Sequence, residues 1–190
     1  MKLLALVAAA ALFASCATPA AHLSGTELDR GAAPDFTLTD GVTGQAVTLS
    51  SLRGNVVAMA FLYTHCLDVC PLTAAQFRAA QRSLGSDAAR VRFVAVSVDP
   101  EGDTPNDVKT FSAAHDLSSN WHYLIGARPQ LQTVWSMYGV GAFNAPMGMS
   151  VDHNDAIYVI DSQGHEREIV HSDVALKDLV ADLRSLVSER

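Results

Sequence analysis

Residues 55–63, NVVAMAFLY, are apolar on both alternating faces. A run of this kind fits a strand covered on both sides and sits poorly in one with a wet face, so it predicts the centre of a sheet. It leads into YTHCLDVCPL, residues 63–72, and then into a pattern in which Thr73, Phe77, Ala80 and Leu84 share one helical face before Gly85 closes the segment. Pro71 suits the first helical position. A buried strand, a turn with two thiols and a helix therefore follow one another without a gap, and the rest of the chain has to build around them.

Two short strand-like runs precede that unit, residues 35–39 and 46–49, around a Gly-containing turn, and predict an N-terminal β-hairpin. Residues 91–98, VRFVAVSV, predict a second central strand. In DTPNDVKTFSAAH, Thr104 is placed as an N-cap, Pro105 at the first helical position and Asp107 three residues after the cap, a capping-box pattern. A third strand is expected over 121–125 and a helix over 129–138, where Leu131, Val134, Trp135 and Tyr138 recur at helical spacing and read as core. Residues 139–154, GVGAFNAPMGMSVDHN, carry no periodicity and are long for a connection, whose median is about 4 to 6 residues. A hairpin follows over 156–161 and 165–170 around Ser-Gln-Gly, then a helix capped by Ser172 with Leu176, Leu179, Val180, Leu183 and Leu186 inward. This order describes an open α/β sheet with a parallel βαβ core and an antiparallel edge, and it resembles the thioredoxin fold. The expected class is thus α/β, thioredoxin-like, with an N-terminal β-hairpin and a mixed central sheet. Functional groups in such sheets gather beyond the carboxyl ends of the strands, which is where YTHCLDVC falls.

The first residues, MKLLALVAAAALFASC, combine a lysine, an apolar run and small residues ending in Cys16, the pattern of an export signal. The run is short of the roughly 20 apolar residues that a spanning helix needs. F-A-S-C resembles a bacterial lipobox, in which the signal is cut before the cysteine and the thiol is acylated, although Phe13 stands where leucine is more usual. Ordinary cleavage nearby, with Cys16 lost or left free, is the alternative. The organisation expected is a signal over 1–15, a lipidated N-terminus and flexible tether over 16–33, and one domain over 34–190. Such a protein belongs to the bacterial cell envelope, anchored to a membrane through its lipid, with the domain in the periplasm or outside the cytoplasmic membrane. With 13 Lys and Arg against 20 Asp and Glu, a net charge of -7, nothing marks a nucleic-acid partner.

Of the three cysteines, one is the lipid attachment point, so Cys66 and Cys70 are each other's only partners. A bond between them closes almost no loop and stabilises the fold little, which argues against a purely structural disulfide. Both lie at the start of a helix, where unpaired N–H groups and the macrodipole favour thiolate, so both are expected to titrate low. Two reaction classes use such a pair: electron exchange through a reversible disulfide, or capture of a soft metal ion. Three residues lie between the cysteines, Leu67, Asp68 and Val69, a wider bite than the two of thioredoxin-type oxidoreductases. Two thiolates favour copper(I), and bound metal would keep an exported dithiol reduced. Imidazole is the natural third donor. Of the seven histidines, His22, His115, His122, His165 and His171 read as solvated, and His65 adjoins Cys66 but should point to the opposite face of an extended segment. His153 differs, because it ends the long loop immediately before a strand that should run beside the central one.

YTHCLDVCP, SVDPEGDTP, MYGV and VDHNDAIYVIDSQG stand in the order and approximate spacing of the Sco/SenC family of copper-binding, thioredoxin-like proteins, a resemblance that covers most of residues 34–187. It implies one copper ion held by Cys66, Cys70 and His153. It also implies a role in metallating the binuclear copper centre of cytochrome c oxidase, by delivering copper, by reducing the recipient's cysteines, or both. The implied partners are that oxidase subunit, a copper donor or thiol reductant, and the membrane. The family often has proline at Leu67 and arginine at Gly102. Asp68, Asp99 and Asp103 offer an acidic rim, though turn and capping roles explain them more simply, and Met147 and Met149 add thioethers to the loop that carries His153. Two further readings use the same thiols: a thiol–disulfide oxidoreductase that reduces cysteines of envelope proteins, and a copper or redox sensor. A peroxidase is disfavoured, since Thr64 stands only two residues before Cys66.

Overall fold

In the computed structural model the residues described are 22–117, 120–141 and 155–189, and among them eight strands form one sheet. In chain order the elements are β1 (Thr26–Glu27), β2 (Thr37–Asp40), β3 (Ala46–Thr48), β4 (Val56–Leu62), α1 (Val69–Leu84), β5 (Val91–Ser97), α2 (Pro105–Ala114), β6 (Trp121–Ile125), α3 (Arg128–Met137), β7 (Ala156–Ile160), β8 (Glu166–His171) and α4 (Leu176–Ser188). The strands lie in the order β1-β8-β7-β4-β5-β6-β2-β3. Pairing is parallel from β4 through β5 to β6 and antiparallel elsewhere, so the sheet is mixed, with the expected hairpin of β2 and β3 at one edge.

Every residue of β4 is buried, and its period of two divides the core. Val56, Ala58, Ala60 and Leu62 face one side, with Phe77, Ala80 and Leu84 of α1 and Leu179, Leu183 and Leu186 of α4. Val57, Met59 and Phe61 face the other, with Leu131, Val134 and Trp135 of α3 and Leu38 and Val47 of the hairpin. Register then fixes what stands at the functional end. Leu62 pairs with Ser97 and Ala60 with Ile157, so the end of β4, the end of β5 and the start of β7 lie together.

Three expectations are corrected. Pairing begins before Pro34: Leu23 is buried, β1 pairs with β8, and Ala32 bridges to His165, so the part of the tether from Leu23 onward belongs to the sheet. Two paired residues are too few to show alternation, which is why the segment reads as linker. At the other end, α4 is capped by Ala175 rather than Ser172, whose hydroxyl instead donates to Asp155 Oδ2 at 3.1 Å, and Leu176 is partly exposed. Finally, α1 starts at Val69, two residues ahead of Pro71. Proline costs nothing there, because the N–H groups of a first turn have no partner within the helix.

Candidate functional site

The turn between β4 and α1 carries both thiols. Cys66 N–H donates to the Tyr63 carbonyl at 3.3 Å and closes the turn. The chain then enters α1 through Asp68, whose side chain makes no capping bond. A sulfur stands in for it: Cys70 N–H, at the second helical position, points at Cys66 Sγ at 3.4 Å. The two cysteines are not bonded to each other, and both are buried, Cys66 at 7% and Cys70 at 0% exposure. Between them Leu67 stands at 97% exposure, a large apolar side chain turned to solvent beside the thiol turn.

The expectation of a low-titrating pair fails at Cys70. Burial pushes its thiol well above the usual range, and the Cys66 side chain and the Asp103 charge act in the same direction. A helix N-terminus is worth about 0.3–1 kcal/mol to an anion, whereas full burial shifts a group by up to about 3–5 pKa units at roughly 1.4 kcal/mol each, so desolvation wins.

Asp103 is the residue that sequence reasoning missed. Read as part of an acidic rim or as a turn residue, it is 3% exposed and lies behind the thiols. It accepts the Thr64 N–H at 2.8 Å, the Thr64 hydroxyl at 2.7 Å, the Ser97 hydroxyl at 2.6 Å and the Tyr123 hydroxyl at 3.0 Å. Burial raises its carboxyl above the ordinary value against the pull of these donors, and raises the Tyr123 phenol with the help of the Asp103 charge. The other two members of the supposed rim remain local: Asp68 is an exposed N-cap residue, and Asp99 Oδ1 accepts the Gly102 N–H at 3.0 Å.

The histidines divide as follows. His65 is exposed, with Nδ1 at 3.1 Å from Thr64 Oγ1 and Nε2 at 4.0 Å from Asp107 Oδ1. His22 and His171 are exposed beside Glu27 and Asp155, and His165 is half-buried at 3.6 Å from Asp161. His122 and His115 are not solvated as expected. His122 is half-buried with Nδ1 at 3.0 Å from the buried Asp40 carboxylate, and His115 packs on Phe111 with ring centroids 4.5 Å apart. His153, Met147, Met149 and Cys16 lie outside the described residues. Among the described residues no three His, Cys, Asp or Glu side chains are grouped to hold a metal ion. What the described chain brings together is a pair of soft sulfur donors within hydrogen-bonding reach of each other, a set that fits a soft cation.

Comparison with known proteins places this arrangement. The SCO1/SenC family model matches residues 25–188. The SCO1 protein homolog of Bacillus subtilis (strain 168) is 30% identical over 150 residues, which span 75% of this chain and 76% of that protein. The copper-bound structure of ScoI from Bradyrhizobium japonicum shares 32% identity at a TM-score of 0.74, over 82% of this chain and 99% of that one. BsSco, a member of the Sco family of cytochrome c oxidase assembly proteins in which a disulfide switch has been identified, shares 27% identity at a TM-score of 0.71, over 87% of this chain and 99% of its own. The fold is the thioredoxin-like fold of these Sco structures, and the chain belongs to the SCO1/SenC family.

Proposed function

We propose that the protein is a membrane-tethered copper chaperone that binds one copper ion through Cys66, Cys70 and His153 and helps to assemble the binuclear copper centre of cytochrome c oxidase. The observation that carries the reading is the convergence of two buried sulfurs beyond the carboxyl end of β4. Register supports the third ligand: Ile157 pairs with Ala60, so β7 starts beside the end of β4, and His153 is three residues upstream of Ala156, a reach of roughly 10 Å. Copper-bound ScoI and the oxidase-assembly family of BsSco support the cargo and the recipient. Copper is cargo here. The chain's own part is to surrender the thiol protons, present two sulfurs and an imidazole, and give the ion up to a site with a better donor set. The anchor reading rests on residues 1–16, with the lipid on Cys16 and the domain on the outer side of the cytoplasmic membrane.

Anaerobic titration of the purified protein should give one tightly bound copper per chain, with strong loss in Cys66→Ala, Cys70→Ala and His153→Ala. Affinity should fall with falling pH, since each ligand must be deprotonated and the Cys70 proton is held tightly. A His153→Ala variant that binds as tightly as the parent removes the third ligand.

The two neighbouring thiols, not joined in a disulfide, also favour a second reading, a thiol–disulfide oxidoreductase for envelope proteins. Turnover of a dithiol substrate in the presence of a copper chelator, unchanged in His153→Ala, would select it.

A further inference from the structure

One buried carboxylate beside the thiols is neither a proposed metal ligand nor a redox group. Asp103 accepts four hydrogen bonds, about the capacity of a carboxylate, and the donors come from three different parts of the sheet. Thr64 lies two residues beyond β4, Ser97 is the last residue of β5, and Tyr123 lies within β6, while Asp103 itself immediately precedes the Thr104 cap of α2. Thr64 is held by both its N–H and its hydroxyl, and it sits inside the turn that Cys66 N–H closes onto Tyr63. The position of Cys66 is therefore referred, through one side chain, to the end of β5 and the middle of β6.

We propose that Asp103 is a positioning residue for the Cys66–Cys70 pair: by gripping Thr64 at both donors it fixes the turn on which Cys66 rides, and with it the approach of the first sulfur to the second. The inference rests on the thiol pair being the working site and is independent of metal. Without this grip the turn gains freedom, and each thiol spends less time within reach of the other. The quantity that reports this is the effective concentration of one thiol for the other. It is read from the equilibrium in which the dithiol and glutathione disulfide give the protein disulfide and two molecules of glutathione. In that exchange the two protein S–H bonds are lost, the glutathione S–S bond breaks, one protein S–S bond forms, and both protons end on glutathione.

Asp103→Ala is expected to lower this effective concentration by at least about tenfold, or about 30 mV for the two-electron couple. Asp103→Asn should stay within about threefold of the parent, because its carbonyl oxygen can accept both Thr64 donors while its amide donates to the Ser97 and Tyr123 hydroxyls. Thr64→Val, which removes one of the two grips and keeps the fold should Asp103→Ala fail to fold, is expected to fall between them. A role confined to fold stability lowers the melting temperature of these variants and leaves the glutathione equilibrium where it was, which overturns the proposal. So does an Asp103→Asn variant as perturbed as Asp103→Ala, since charge and not placement then sets the pair. No copper enters the glutathione assay, so a failed copper titration leaves this result standing, and a successful one does not rescue it.

Discussion

Replacing Glu168 with glutamine is expected to stabilise the protein at pH 8 and to change little at pH 4.5. Glu168 lies on β8 at 0% exposure; its Oε2 accepts the Gly25 N–H at 2.8 Å, and its Oε1 finds no hydrogen-bond donor among the described residues. The neighbouring group on α4 is Asp182, itself buried and taking the Ser24 N–H at 3.2 Å and the Ser24 hydroxyl. Glu27 on β1 adds a further negative charge, and His22 stands beside it. Burial first, then the charge and hydrogen bond of Asp182, lift Glu168 from an ordinary 4.5 to about 7. A protonated Glu168 answers the orphaned oxygen, because its O–H donates to Asp182. With a folded pKa above the unfolded one, the folded state holds the extra proton between the two values. The stability from this group is therefore full below about 4.5 and is lost as pH rises through about 7. At roughly 1.4 kcal/mol per unit the loss is on the order of 3 kcal/mol. Glutamine supplies an N–H to Asp182 at every pH and keeps an oxygen for Gly25. The stability difference between Glu168→Gln and the parent should thus grow from near zero at pH 4.5 to on the order of 3 kcal/mol at pH 8, a rise of about 6–12 °C in melting temperature for a chain of this size. Urea unfolding followed by circular dichroism at four pH values measures it. Other titrating groups cancel in the difference between the two proteins, so a gap that stays constant from pH 4.5 to pH 8 would refute the reasoning.

Thr104→Ala removes the reciprocal capping box of α2, in which the Thr104 hydroxyl accepts the Asp107 N–H and the Asp107 carboxylate accepts the Thr104 N–H; a loss of about 1 kcal/mol in urea unfolding is expected, with glutathione equilibrium unchanged. Gly102→Arg introduces the residue the family often carries, but a Cβ at this position collides with Asp99 Oδ2, so Asp99 must swing away and give up its bond to the residue 102 N–H. That change should cost about 1 kcal/mol, and Gly102→Arg combined with Asp99→Ala should cost no more than Asp99→Ala alone.

The sheet was legible because its elements carry strong local signals. The run at 55–63 has no polar residue after Asn55 and could only be a two-faced strand, and Thr104, Pro105 and Asp107 mark a helix start that the structure reproduces atom for atom. The thiol turn was legible too, as a strand-to-helix junction at the functional end of the sheet. Its environment was not. Whether a carboxylate six residues after a strand faces water or the core depends on the neighbours that the tertiary fold supplies, and Ser97, Thr64 and Tyr123 are scattered over 60 positions of sequence. Glu168 and Asp182 are hidden for the same reason: each reads as an ordinary charged position on a short strand and on an amphipathic helix, and only the return of residues 23–27 across β8 closes the space around them.

Cys70 shows how two correct local rules can give a wrong sign. The helix start and its N–H groups are present as expected, yet the sulfur points inward, where burial and the Asp103 charge oppose ionisation more strongly than the helix end favours it. The thiolate is the nucleophile in disulfide exchange, so a thiol held protonated in this way does not open the reaction, and in any redox cycle Cys66, the less buried of the two, has to attack first. Metal capture makes the opposite demand. On the proposed copper reading, a soft cation at Cys66 would bring positive charge next to the buried sulfur and lower the cost of removing its proton, and the Asp103 charge, which hinders a thiolate on its own, would offset part of the charge of the ion. On that reading, the burial that disfavours a thiolate at Cys70 would suit it to act as the second ligand, after Cys66.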